Sequence, residues 1–495
     1  MYQKYQPFSD FNFIHFNSIL VREKAIRVVL SKLNWMSTYR VRFAPVIHAP
    51  EQCDDHVSPS IPAPAPDVRK RPRSRTGCSQ CKQQKVKCDE TFPVCLRCRQ
   101  RGLLCKSSPR LSRWQLETHW ISCPLDQIVK RPLLQYWLEK ASQMMVIDTE
   151  NNPYSFPVLQ YFTEAPSLVH MIQSMSAAHQ EYFPALGHIA SLDERGQALQ
   201  LLRHELSQPE IPTASFLTIV LLALFDTANP DPHHFGQQHL LAARNVIDNL
   251  LFRHQDFLAG TVHDDLLALC VGAFLYWDMC CAHLVDARQQ PPLGSTAMVQ
   301  AVRVLRFKDH PTYGIGAELI YLLSEVGRYC REVIQLGHSD GTRATALEEQ
   351  ILGFKSTQNN RLLVLLHESL QKHGLILLLR VRIHSSAVDS DKEDKIHQYA
   401  IDIVCHLSEI PFTSSLLNIQ ALPLLTAASE LRACDSGLRH AAVNRFKAIY
   451  SMNRVPSTLQ AVNLLEELWE IRDSGVQTHW MEFMLLKKGW SLCVC

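Results

Sequence analysis

A chain of 495 residues, 46% hydrophobic and 20% charged, has the apolar material for a large core, which excludes global disorder and suggests two to four domains. Eighteen glycines and 26 prolines exclude collagen-like and turn-dense all-β architectures. The net charge of +2 conceals a division: residues 69–110 carry thirteen Lys/Arg against Asp89 and Glu90, residues 1–68 are near balance, and residues 111–495 sum to −10.

A short basic island on an acidic body predicts a polyanion-binding device on a separate chassis. In chain order, residues 1–68 read as a poorly ordered segment. Met1–Asp10 is polar and lacks the basic start and apolar stretch of an export signal. Phe11–Met36 has helix-like spacing with Arg22, Lys24, Arg27 and Lys32, but Asp10 and Glu23 count against an organellar presequence; translation from Met36 is an equally simple reading. Ser58–Pro66 alternates proline with small residues and is expected to be an extended spacer.

Residues 69–110 hold the island. Six of the sixteen cysteines, Cys78, Cys81, Cys88, Cys95, Cys98 and Cys105, lie within 28 residues in the order C-x2-C-x6-C-x6-C-x2-C-x6-C. This is one half-motif, C-x2-C-x6-C, written twice. Without an export signal, clustered thiols read as metal ligands before disulfides. Zinc takes four ligands in a tetrahedron, and thiolates suit it. Six cysteines satisfy one ion with two left over, or two ions if two thiolates bridge, and the duplicated half-motif fits the second solution. The spacing is not that of a bacterial ferredoxin, and the absence of His between Cys78 and Cys105 excludes a two-histidine finger. The apolar candidates are few, chiefly Val86, Phe92, Val94, Leu96, Leu103 and Leu104. A module of about forty residues sits near the size where a metal or disulfide is needed to hold a fold. Structural zinc contributes about 10–16 kcal/mol of apparent folding free energy, which is ample.

The run RSRTGCSQCKQQKVKCDETFPVCLRCRQRGLLC resembles the fungal binuclear zinc cluster transcription factors. The likeness rests on six cysteines in register, the Arg75–Gly77 lead-in, the Lys85–Glu90 run, and Pro93 two residues before the fourth cysteine. It implies two zinc ions with Cys78 and Cys95 as bridging ligands. It also implies that each half folds as a short helix and an extended strand, with Pro93 in the joining loop, where a cis bond is allowed. In such proteins the first helix enters the major groove of double-stranded DNA and reads a CGG-like triplet. The matching base-contact residue is Lys85, whose ammonium suits guanine O6 and N7. Gln84 beside it departs from the family's usual Lys or Arg; it either pairs with adenine or leaves a phosphate contact unmade. Lys82, Lys87, Arg97, Arg99 and Arg101 are expected on phosphates, which position without specifying sequence. Arg69, Lys70, Arg71, Arg73 and Arg75 read as a nuclear import signal, a flexible arm along the DNA backbone, or both.

Residues 111–130 read as a linker, and from Arg131 to the end the pattern is helical. Apolar residues recur at three- and four-residue spacing in Leu133–Val146, Ser167–Phe183, Leu192–Leu206, Thr213–Thr227, Phe235–Phe252, Val262–Val285, Ala317–Leu336, Arg361–Ile383, Lys392–Ile410, Leu417–Arg432 and Ser457–Asp473. Breaks fall at Asn229–Pro232, Gln290–Gly294 and Ser339–Gly341. The expected fold class is mainly all-α: a small zinc cluster module joined by a linker to a large irregular helical regulatory domain, residues 131–495. Asp148–Tyr154 followed by Ser167–His179, with Leu422–Arg432 and Leu464–Asp473, resembles a fungal-specific transcription factor domain, which implies a regulatory role.

No HExxH, GxSxG or P-loop is present, and Gly314-Ile-Gly316 lacks a dinucleotide fingerprint. The expectation is therefore a non-enzyme. His233-His234 reads as a polar surface pair, Cys280-Cys281 as buried small residues, and Leu464–Asp473 as a packed amphipathic helix rather than a coactivator-binding motif. No apolar run approaches the eighteen or so residues of a membrane span; Phe216–Phe225 is the longest. Residues 106–130 do not sustain three heptads, so dimerisation uses the helical body or a single triplet is bound weakly. The leading expectation is a nuclear, zinc-dependent, sequence-specific regulator of RNA polymerase II transcription that recruits transcription machinery or coactivators. The alternative is a thiol-based zinc or redox sensor that acts without sequence-specific DNA binding.

Overall fold

The computed structural model describes residues 77–89, 91, 94–105, 128–179, 184–227, 231–290, 293–337, 339–383 and 390–494. Among these residues there is no β-strand, and the sole bridge joins His310 to Gly314. Two five-residue helices, α1 (Ser79–Gln83) and α2 (Leu96–Gln100), belong to the cysteine island. The body follows as α3 (Arg131–Glu139), α4 (Pro166–His179), α5 (Pro184–Leu206), α6 (Ser215–Thr227), α7 (Gln237–Arg253), α8 (Gln255–Leu258), α9 (Asp265–Cys281), α10 (Thr296–Leu305), α11 (Ala317–Leu336), α12 (Gly341–Gly353), α13 (Arg361–Ile383), α14 (Ser390–Glu409), α15 (Ala421–Ser429), α16 (Ser436–Asn453), α17 (Ser457–Asp473) and α18 (Trp480–Glu482).

Local chemistry sets several of these ends. Asp264, Ser295 and Asp340 cap α9, α10 and α12 by accepting from backbone amides of the first turn. Gly337, in the left-handed region at φ 68°, closes α11. Ala317–Leu336, Arg361–Ile383 and Ser457–Asp473 run as the spacing predicts. Others differ. Leu133–Val146 divides at Lys140 into α3 and a 3-10 turn over Ala141–Met145, and Leu417–Arg432 divides into a 3-10 turn over Ser415–Ile419 and α15.

Periodicity did not anticipate α10, α12 and α16. In α12 the supposed break at Gly341 is the first helical residue behind the Asp340 cap, where glycine costs little. In α16 the apolar stripe is interrupted because Arg445 is itself buried, its guanidinium donating to Gln420 Oε1 (2.7 Å) and Ile410 O (2.8 Å).

The body is a layered helical core. Buried polar groups tie its layers: Arg328 of α11 meets Asp278 of α9 through two bonds of 2.8 and 2.7 Å. Glu205 of α5 accepts from Ser167 and Ser215. Glu430 lies between Arg380 of α13 and Arg472 of α17. One expectation is corrected here. Arg361–Arg382 is by length and composition apolar enough to cross a membrane, but 72% of its apolar window is buried within the protein, as in the core helix of a globular domain. Its polar residues His367, Ser369 and His373 are buried and hydrogen-bonded. Leu464, Leu465, Leu468 and Trp469 of α17 are likewise buried, so the acidic-hydrophobic run is a packed helix. Cys280 and Cys281 are buried on α9, and His233-His234 is an exposed pair with His233 Nδ1 2.8 Å from Gly489 O.

Candidate metal centre and nucleic-acid interface

The two half-motifs fold as near copies. Cys78 and Cys95 are the N-caps of α1 and α2, and each sulfur accepts from the amide three residues on, Cys81 and Cys98, at 3.4 Å. Each turn then closes alike: Val86 N donates to Cys81 O at 3.0 Å and Leu103 N to Cys98 O at 2.9 Å. The duplicated spacing thus delivers a duplicated backbone, with the C-x2-C cysteines at the start of each helix and the third cysteine returned by the segment beyond it. That segment is not a strand in either half, which corrects the strand expectation.

All six cysteines are buried, at 5% exposure or less. Their sulfurs form two quartets, Cys78, Cys81, Cys88, Cys95 and Cys78, Cys95, Cys98, Cys105, each with its members within 4.8 Å. Cys78 and Cys95 belong to both. Sγ separations of 3.8 Å link Cys78 to Cys95, Cys78 to Cys98 and Cys81 to Cys95. A zinc–sulfur bond of about 2.3 Å places tetrahedral sulfurs about 3.8 Å apart, so the donor set fits two zinc ions sharing two thiolates. Zinc would crosslink the halves and stand in for a hydrophobic core.

Burial and then the neighbouring sulfurs push the Cys81 and Cys98 thiols up; burial pushes Cys105 up to about 12 against the Cys95 amide. Metal binding therefore releases protons, and affinity rises with pH. Asp89 joins the halves, its Oδ1 accepting from the amides of Thr91 and Leu96, both at 3.1 Å. Burial alone would raise its carboxyl, but the bonds from Thr91 and the Leu96 amide hold it down at about 2.

Lys82, Gln84, Lys85 and Lys87 are exposed around the end of α1. Lys85 is distinctive: its φ is +55°, in the left-handed region that disfavours any residue with a Cβ. Seven residues after the first cysteine of the second half, the equivalent position is Gly102, at φ +58°. Arg99 and Arg101 are exposed on the second half and Arg97 is partly buried. Arg69, Lys70, Arg71, Arg73 and Arg75 lie outside the described residues, as do Pro93, the spacer and most of the linker.

The second half also rests on the helical body, which sequence reading did not foresee. Lys447 Nζ of α16 donates to Gly102 O at 3.0 Å, and a Cβ at Gly102 would stand 2.6 Å from Asn444 Oδ1. Arg99 lies 5.7 Å from the Phe412 ring centroid, with Arg445 at 4.9 Å from the same ring. The one available signal was the register of Gly102 against Lys85 in the repeated half-motif.

Comparison with known proteins agrees with this geometry. The family described as fungal Zn(2)-Cys(6) binuclear cluster domain matches residues 76–115, and fungal specific transcription factor domain matches residues 132–495. Transcription factor lfc1 of Flammulina velutipes is 43% identical over 72 residues, 13% of this chain and 26% of its own. Transcriptional regulatory protein moc3 of Schizosaccharomyces pombe is 44% identical over 46 residues, 9% of each chain. Zn(2)-C6 fungal-type transcription factor afumD of Aspergillus fumigatus is 50% identical over 42 residues, 8% of this chain and 11% of its own. The chain thus spans about a quarter or less of the length of these curated relatives. No solved structure matches.

Proposed function

Because the chain belongs to the family of fungal-specific transcription factors and carries their two-zinc DNA-binding cluster, we propose that it is a nuclear regulator of RNA polymerase II transcription that reads a CGG-like triplet through Lys85. The observation that carries this reading is Lys85 itself. An exposed lysine occupies a left-handed turn where the sister half uses glycine. Tolerating a Cβ there costs about 1–2 kcal/mol, and the return is an ammonium at the end of the helix that enters the groove.

Gln84 flanks the reading position, and Lys82, Lys87, Arg97, Arg99 and Arg101 contact phosphates. Arg69, Lys70, Arg71, Arg73 and Arg75 form the import signal and basic arm. The acidic body recruits transcription machinery or coactivators and performs no catalysis; pairing of two chains, where it occurs, uses that body. The alternative of a thiol sensor is the weaker reading. All six sulfurs sit in metal-holding quartets, and thiolates engaged by zinc are poor nucleophiles.

Selection of bound sequences from a random DNA pool, using the full chain with and without a zinc chelator, tests the proposal. Enrichment of a G-containing triplet that vanishes on chelation is expected. Affinity for that site should fall by about 0.9 log unit per tenfold salt for each phosphate neutralised. No enriched motif, or enrichment indifferent to chelator, would overturn the proposal.

A further inference from the structure

Two cysteines 212 positions apart meet inside the helical body. Cys281, the last residue of α9, and Cys493 place their sulfurs 3.5 Å apart, and both side chains are buried. A disulfide bond measures about 2.05 Å, so these are two thiols in contact. Among the described residues only the six sulfurs of the zinc module gather in groups of three or more metal-ligating side chains. Cys281 and Cys493 stand outside any such group, and the chemistry left to them is that of a pair.

The two sulfurs are held differently. Around Cys281 the chain is fixed: Asp278 of α9 accepts two bonds from Arg328 of α11, and a Cβ added at Gly327 would stand 2.9 Å from Ala282 Cβ. The backbone of α11 thus packs directly on the residue after Cys281. Cys493 lies beyond α18 and the π-helical turn Phe483–Lys487, in a stretch, Leu492–Val494, that belongs to no helix or strand. The approach to it is pinned at separate points: Ser491 N donates to Pro232 O at 2.7 Å, Trp490 N to Met484 O at 2.9 Å, and Lys488 Nζ to Glu467 Oε2 at 2.6 Å. Irregular chain held by single contacts opens at lower free energy than packed helix. Cys493 is accordingly the sulfur that a small oxidant meets first, and Cys281 is the fixed one beside it.

We propose that Cys281 and Cys493 form a redox pair, closed to a disulfide by a hydroperoxide and reopened by a thiol reductant. The Cys493 sulfur attacks a peroxide oxygen and the O–O bond breaks, leaving a sulfenic acid; the thiol proton goes to the departing hydroxide, which for hydrogen peroxide leaves as water. The Cys281 sulfur then attacks the sulfenic sulfur, and the S–S bond forms as a second water departs with the Cys281 proton. Two thiols and one hydrogen peroxide thus give one disulfide and two waters; the sulfurs lose two electrons and the peroxide gains them. Contact at 3.5 Å gives Cys281 a high effective concentration at Cys493, so capture outruns a second oxidation. Once bridged, the segment around Cys493 is bound covalently to α9, which restricts the unfolded chain and stabilises the body. The bridge uses no sulfur of the zinc module, so a chain that bound no DNA would keep it and lose the preceding proposal.

The test treats the full-length, zinc-loaded chain with a few equivalents of hydrogen peroxide, quenches with catalase, alkylates the remaining thiols under denaturing conditions and maps the peptides by mass spectrometry. A linked Cys281–Cys493 peptide is expected as the main oxidation product. It should form before zinc is released to a chromophoric indicator and disappear with dithiothreitol, and the bridged chain should unfold at higher urea than the reduced one. Cys281→Ser should leave a Cys493 sulfenic acid that dimedone labels, whereas Cys280→Ser, one residue away, should bridge as before, with helicity showing both variants folded. The proposal is overturned if zinc leaves before the bridge forms, if Cys493 stays a thiol, or if it links to another cysteine. The map of the unsubstituted chain decides this even where a variant does not fold.

Discussion

Replacing Lys85 with glycine separates the residue's cost to the fold from its proposed contact with DNA. Lys85 adopts φ +55° where the duplicate half places Gly102. Releasing the Cβ from that turn recovers about 1–2 kcal/mol. The extra freedom of glycine in the unfolded chain takes back about 0.5–1 kcal/mol. The net gain is about 0.5–1 kcal/mol in cluster stability. Because folding and zinc binding are one equilibrium here, it appears as roughly two- to fivefold tighter zinc retention. Lys85→Ala keeps the strained turn and loses the ammonium, so it gains nothing. On DNA both variants should lose the proposed base contact, about 1–3 kcal/mol of discrimination between a CGG duplex and a scrambled one. The assays are competition with a chromophoric chelator and binding to the two duplexes. The expected order is glycine above lysine and alanine for zinc, and lysine far above both for discrimination. A glycine variant that holds zinc no better than alanine, or that still prefers the triplet, would refute the reasoning.

Cys78→Ser removes a donor common to both quartets and should abolish binding of both zinc ions, whereas Cys105→Ser touches one quartet and should leave one ion in place; native mass spectrometry counts them. Glu430→Ala takes the shared carboxylate from two mostly buried arginines, leaving Arg380 with Glu393 alone and Arg472 without that partner, and should cost about 3–5 kcal/mol in urea unfolding. Burial would raise the Glu430 carboxyl, but the two arginines hold it at about 2, so its contribution is intact above the unfolded carboxylate range and is lost only as pH falls toward that value. Burial lowers His179 and His310 to about 4 and His283 and His373 to about 3. The unfolded chain therefore takes up protons below about 6.5 that the folded body refuses, and the urea midpoint followed by helicity should be lower at pH 5.5 than at pH 7.5. An unchanged midpoint would contradict the burial of these rings.

The cysteine island was legible because its spacing is chemical: four ligands per ion and six sulfurs in two equal halves leave few solutions. Arg361–Ile383 was legible as a helix because its apolar residues recur at helical spacing over a long run, although its burial on most sides was not. The helix Ser436–Asn453 was not, since Arg445 is buried and interrupts the stripe, its polarity answered by Gln420 and Ile410 from elsewhere in the chain. The contact between the zinc module and the helical body was equally hidden, as Gly102 and Lys447 lie far apart in sequence and only tertiary packing joins them.

Residues 410–420 are shared masonry. Ser414, Ser415 and Leu416 help to line a cavity of about 1050 Å³ in the helical body, while Phe412 receives Arg99 of the zinc module. Arg445 clamps both ends of this stretch to the helix from which Lys447 reaches Gly102. One stretch of chain therefore both lines the cavity and seats the zinc module, so the two have a common foundation a few residues thick.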